Sequence, residues 1–182
     1  WACRHRRDDA GRPRTILAIG AHPDDLELAC SATLARLVDE GHQVHALVMT
    51  HGAVGGDATV RPDEARRGAT YLGLTSVEVH DLPDTHLEDH SSEMIQIIEA
   101  AIKHHDPHLL LTHSRHDQHQ DHVAVHWATC RAGRNHPAIL CFESPSVTSE
   151  FLPTVFTDVA EYLDAKQMAV ALHANQSDKP YM

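Results

Sequence analysis

Read as hydrophobic and polar positions, the chain alternates short apolar runs with amphipathic stretches. Ile16–Ala21 is a nearly unbroken apolar run, the pattern of a strand buried on both faces. A helix is predicted over Leu26–Glu40, with apolar residues at 28, 34, 35, 37 and 38 and a stop at Gly41. Val44–Met49 reads as the second strand, followed by a loop with Gly52, Gly55 and Gly56. Arg61-Pro62-Asp63-Glu64 opens a helix that ends at Gly73, with proline near its first position. Val77–Leu82 is a short strand. Met94, Ile97, Ile98, Ala101 and Ile102 share one face of a helix over Glu93–His104, which Pro107 ends. Leu109–Thr112 is the fourth strand, Val123–Ala132 a helix and Ala138–Phe142 the next strand. A last strand is predicted over Thr154–Asp158 and a final helix over Glu161–His173.

Strands alternating with helices of ten to fifteen residues predict an α/β protein. Its sheet is mainly parallel, with helices on both faces, in a Rossmann-like doubly wound order. Residues 1–13 read as a flexible lead-in and 14–182 as a single domain. Such sheets bind ligands beyond the carboxyl ends of their strands, where the strand order reverses; that point usually lies between the first and fourth strands.

Composition narrows the function. A net charge of −11 over 182 residues disfavours a nucleic-acid partner, which needs a basic face, and equally an anionic membrane surface. There is no apolar stretch long enough to span a membrane, and no apolar region follows the basic start, so neither a membrane span nor a secretory signal is expected. The four cysteines, at 3, 30, 130 and 141, form no C-x-x-C pair. They read as reduced thiols of a cytoplasmic protein. A small-molecule substrate fits this balance, and a homo-oligomer is compatible with it.

The chemistry sits at two strand ends. The first strand runs into His22-Pro23-Asp24-Asp25, and the fourth into His113, His116, Asp117, His119, Asp121 and His122. The predicted topology brings these clusters to one crevice. Imidazole and carboxylate without thiol suit a catalytic Zn²⁺ with three protein ligands and one open position. His22 and Asp25, three apart at a strand-to-helix turn, can face one ion, and a histidine of the second cluster completes the set. Asp24, between them, is then free to act as general base on water that the ion acidifies to a pKa of about 7. Taken alone, Asp24 and Asp25 could merely cap the following helix, and the second cluster could be a solvated loop. Their occurrence at paired strand ends favours the metal reading.

The sequence "AHPDDLE" followed by "RHDQHQDH" resembles the PIG-L/LmbE family of zinc-dependent N-deacetylases. "RPDEARRGATYLGL", "LPDTHL", "FESPS" and "DAKQMAVALHANQ" are similar to later family segments, so the resemblance runs from Ile16 to about Gln176. Ala29-Cys30-Ser31-Ala32 stands where the family usually carries a glycine-rich run. The resemblance implies one zinc per chain held by His22, Asp25 and His122, with Asp24 as base. It implies His119 as oxyanion stabiliser and proton donor, and Asp121 as the residue that orients a histidine. Arg61 and Asp84 would lie on the substrate side, and His173 at the pocket rim. The implied substrate is an N-acylated amino sugar or related small metabolite, secondary metabolites included. Three rivals are weighed on the residues alone: a non-hydrolytic nucleotide-binding domain would need G-x-G-x-x-G after strand one, where "GAHPDD" places acids. A two-metal phosphoesterase would want more bridging carboxylates, and a silent metal-binding domain would carry the same ligands.

Overall fold

The computed structural model describes residues 12–180, so most of the expected lead-in, and Cys3, lie outside the described residues. The sheet has five parallel strands in the order β3-β2-β1-β4-β5. They are β1 (Thr15–Gly20), β2 (Gln43–Thr50), β3 (Ser76–Leu82), β4 (Leu109–Thr112) and β5 (Ile139–Cys141). Between them run the helices α1 (Asp25–Ala29), α2 (Ser31–Asp39), α3 (Arg61–Tyr71), α4 (Ser91–His105) and α5 (Gln120–Ala132), with α6 (Leu163–Ala171) last. β1 pairs with both β2 and β4, aligning Ala18 with Ala46 on one side and with Leu111 on the other. The strand order therefore reverses between β1 and β4, where the doubly wound reading expects it.

Alternation along the strands sorts the core into two layers. Leu17, Ile19, Leu47, Met49 and Leu110 pack against Met94, Ile98 and Ala101 of α4 and Val125 and Ala128 of α5. Ile16, Ala18, Val44, Ala46 and Leu111 pack against Leu26 and Leu34 on the opposite face. Burial on both faces is why β1 carries hardly a polar residue.

Three expectations need correction. The helix expected over Leu26–Glu40 is two helices broken at Cys30, whose φ of −135° is not helical. There the Ser31 hydroxyl donates to the Glu27 carbonyl at 2.7 Å, a local bond that competes with helical geometry. Cys30 does not take a positive φ, so this break does not require a glycine. No strand forms at Thr154–Asp158: Leu152, Val155 and Phe156 are 78%, 60% and 81% exposed, and β5 remains the outer strand. Helix α5 starts at Gln120 rather than Val123, so Asp121 and His122 lie in its first turn and His119 is its N-cap. Among the described residues, no helix is long and apolar enough to cross a membrane.

Candidate metal centre

The tip of β1 turns through His22-Pro23-Asp24 into α1, and the turn is tied by the Asp25 side chain. Asp25 Oδ2 accepts from the backbone N–H of Ala21 at 2.9 Å and of His22 at 2.7 Å. Opposite it, α5 opens at His119, whose Nδ1 accepts from the Asp121 N–H at 3.2 Å. The predicted convergence of strands 1 and 4 is thus realised in side chains. Asp25 Oδ1 lies 3.2 Å from His122 Nε2, and Asp25 Oδ2 lies 3.5 Å from His22 Nδ1. The His22 and His122 rings are 5.5 Å apart, and the His119 ring stacks on His122 at 4.6 Å.

Carboxylates set the direction of each imidazole. Asp117 Oδ2 accepts from His122 Nδ1 at 3.0 Å, which leaves His122 Nε2 turned to Asp25. His22 Nε2 lies 3.1 Å from both Asp84 Oδ1 and Asp121 Oδ2, which leaves Nδ1 on the Asp25 side. Metal-bound imidazoles usually have such a partner on the far nitrogen, since it settles tautomer and ring angle. Asp121 is fully buried and also accepts from the N–H groups of Thr85 at 2.7 Å and Leu87 at 3.1 Å.

The charges respond to this crowding. Burial opposes charge on His22, yet Asp25, Asp121 and Asp84 raise its pKa well above the usual imidazole value. Burial likewise opposes charge on His122, but Asp25 and Asp117 push it up to about 9. His113 is fully enclosed, and burial pushes it down to about 4, so it is a neutral ring 3.0 Å from Asp25 Oδ2. His119 is lowered by burial and by the neighbouring His22 and His122. Against their burial, Asp25 and Asp117 are held below the ordinary carboxylate range, and Asp84 falls to about 2 through its bonds to His22 and Val54.

The residues fit a divalent cation. His22, His119 and His122 bring ligand atoms within 4.8 Å of one another, as do Asp25, His113 and His122, and His22, Asp84 and Asp121. His22 and His122 are each shared by two of these sets. The carboxylates that raise His22 and His122 place negative charge at the centre, which a cation could also balance.

A cavity of about 300 Å³ opens over this centre. His22, Asp24, Asp25, His119, His122, Arg61 and Asp84 all line it, whereas Asp121 sits behind His22 and lines none of it. Two residues expected on the substrate side have protein partners. Arg61 is 3% exposed and donates through one terminal nitrogen to Asp24 Oδ1 at 2.8 Å and through the other to the Gly52 carbonyl at 2.6 Å. Asp84 gives one oxygen to His22 and the other to the Val54 N–H at 2.7 Å. His173 lies off this cavity, buried beside Glu27 with Nε2 3.4 Å from Oε1.

Sequence reasoning gave no role to Asp117, Ser144 or Ser146. Asp117 accepts from both serine hydroxyls, at 2.5 and 2.7 Å, and from the His119 N–H at 2.9 Å. The usable signal is a further carboxylate inside the run that supplies His119 and His122. Thr85 was missed as well. It holds a positive φ of 67°, uncommon for a β-branched residue, and so turns its N–H onto Asp121.

Residues 17–132 match the family described as PIG-L, GlcNAc-PI de-N-acetylase. The chain belongs to the PIG-L family. Its members are metal-dependent N-deacetylases, and the chain is an enzyme of that class. It is 39% identical over 171 residues to the uncharacterized deacetylase YaiS of Escherichia coli K12, covering 90% of this chain and 92% of that protein. It is 26% identical to the diacetylchitobiose deacetylase of Thermococcus kodakarensis, over 90% of this chain and 70% of that one. Among solved structures, a conserved protein of Thermus thermophilus superposes with a TM-score of 0.80 at 24% identity, covering 92% of this chain and 82% of the other. That last likeness speaks to the fold.

Proposed function

We propose that this PIG-L chain removes an acetyl group from the amide nitrogen of an amino sugar or a related small metabolite. One divalent cation, zinc by the mixed imidazole and carboxylate character of its donor set, would be held by His22, Asp25 and His122. Bound there, it would polarise the amide carbonyl and acidify water. The observation that carries the reading is the position of Asp24. It lines the cavity next to two proposed ligands, and its carboxylate is held by Arg61 rather than by either histidine.

In this reading Asp24 takes the proton of the attacking water and returns it to the departing nitrogen, so that the products are acetate and a free amine. His119 acts as a hydrogen-bond donor to the developing oxyanion. Its Nδ1 accepts from the Asp121 N–H, so the ring proton of the neutral form sits on Nε2. Oxyanion donors of this kind are worth about 3 kcal/mol. Asp121 and Asp117 are positioning residues for His22 and His122, and Arg61 is one for Asp24. The substrate class rests on the diacetylchitobiose deacetylase relative and on the family description.

The test is release of acetate from N-acetylglucosamine, diacetylchitobiose and N-acetylated amines by the metal-loaded protein, with metal counted per chain. One cation and stoichiometric acetate and amine support the reading. Two cations with phosphate-ester hydrolysis would replace it with the phosphoesterase alternative.

A further inference from the structure

Thiol and imidazole meet where α5 crosses the outer strand of the sheet. Cys141 ends β5, beside Thr112 of β4, and alternation puts its side chain on the same face as Ile139, toward α5. His126 and Cys130 of α5 are four apart, one helical turn, and so stack on one side of the helix. His126 is buried, Cys130 half-buried and Cys141 exposed, and both thiols are unbridged. The imidazole is fixed in one tautomer. Its Nδ1 donates to the His113 carbonyl at 3.0 Å, which leaves the lone pair on Nε2. Cys130 Sγ lies 3.7 Å from that Nε2, and Cys141 Sγ lies 3.6 Å from Nδ1 of the same ring.

We propose that His126, Cys130 and Cys141 form a site for a soft monovalent cation, Cu(I), with two thiolates and one imidazole as its ligands. The gap between His126 and Cys130 already suits it. Bonds of about 2.0 Å to nitrogen and about 2.3 Å to sulfur span 3.7 Å at an angle of about 120°. That is the angle of a trigonal centre, and Cys141 reaches the third place by rotation about its single side-chain torsion. Thiolates select soft ions, whereas the imidazoles and carboxylates behind β1 select a harder one, so the two centres differ in the ion they take.

The charges agree with this chemistry. Burial raises both thiols, Cys141 to about 11, so at neutral pH they are protonated and slow to react with oxidants. A thiophilic cation displaces those protons, because a coordinated thiol is deprotonated outright. Binding one Cu(I) therefore releases two protons to solvent. Each thiolate then lies near a guanidinium that favours the charged form, Arg131 for Cys130 and Arg115 for Cys141.

The test is anaerobic titration of zinc-saturated, desalted protein with Cu(I) in competition with bicinchoninate. The expected result is one Cu(I) per chain, two protons released and a copper X-ray absorption spectrum with two sulfurs and one nitrogen in the first shell. Cys130→Ser and Cys141→Ser each weaken binding more than about 100-fold, beyond what the loss of a mere orienting partner costs. Cys3→Ser and Cys30→Ser leave it unchanged. Binding that survives either of the first two variants, or a copper shell without two sulfurs, overturns the proposal. Should Cys130→Ser fail to fold, Cys141→Ser, at an exposed position, and the wild-type absorption spectrum decide the matter. None of these readouts uses turnover, so they hold whether or not the chain releases acetate.

Discussion

Arg61 holds Asp24: a terminal guanidinium nitrogen sits 2.8 Å from Asp24 Oδ1, with both side chains less than a tenth exposed. The pair joins the first turn of α3 to the turn after β1, and it aims one carboxylate at the cavity without consuming its second oxygen. Removing the cation of a buried pair leaves an uncompensated charge, which costs about 3–5 kcal/mol. Arg61→Ala is expected to lower stability by that order in denaturant unfolding and to abolish turnover. Arg61→Lys, which keeps charge but not the two-pronged reach to Gly52 and Asp24, is expected to stay folded with kcat reduced more than tenfold.

Asp24→Asn separates metal binding from proton transfer. It is expected to keep the full metal content and to lose about 100- to 10,000-fold in kcat, the usual worth of a general base. Full activity in this variant, measured as acetate release, would assign the base elsewhere.

Gly52 is required by its neighbour. It holds a positive φ of 69°, and a Cβ there would lie 2.1 Å from a terminal nitrogen of Arg61. Gly52→Ala therefore strains the backbone and displaces the guanidinium together. The expected outcome is a lower melting temperature and an activity loss that follows that of Arg61→Lys, not a loss of metal.

Asp117→Asn tests the carboxylate behind His122, a proposed ligand. The carboxylate that orients His122 becomes a neutral amide, and metal affinity is expected to fall about 10- to 100-fold, read by competition with a chelator. Unchanged affinity would mean that His122 needs no orienting partner.

Stability of the metal-free protein should depend on pH in a defined sense. His22 and His122 have raised folded-state pKa values, so their contribution is complete below the unfolded value of about 6.5. It is lost as pH rises through about 9, the folded value for His122. Asp84 acts in the opposite sense: its contribution is present above about 4 and lost as pH falls through about 2. Thermal unfolding of metal-free protein should thus show a declining melting temperature from pH 6.5 to 9. Saturating metal should flatten that decline, because cation replaces proton on the same imidazoles.

Much of this was legible in the sequence because two signals reinforced each other. The apolar run of β1 and the polar burst at His22–Asp25 placed a strand end and its chemistry together. The second burst after Leu109–Thr112 then needed only the doubly wound order to meet it. Periodicity also located α4 and its buried face. What was not legible depends on contacts between segments far apart in the chain. Ser144 and Ser146 reach Asp117 only because the loop after β5 folds over the start of α5. The inward turn of Arg61 depends on two glycines of the loop before its helix, Gly52 and Gly55, where a Cβ would meet its guanidinium at 2.1 and 2.8 Å. The helix breaks at Cys30 beside a Ser31 hydroxyl-to-carbonyl bond, and Thr154–Asp158 has strand-like residues but forms no ladder with β5, the outer strand.

Counting bound metal in purified wild type, Asp24→Asn and Asp25→Ala tests the central claim most directly. The account predicts about one divalent cation per chain in the first two and less than a tenth of that in Asp25→Ala, with all three folded. A wild-type chain that binds none, or an Asp25→Ala chain that binds as well as wild type, would contradict it.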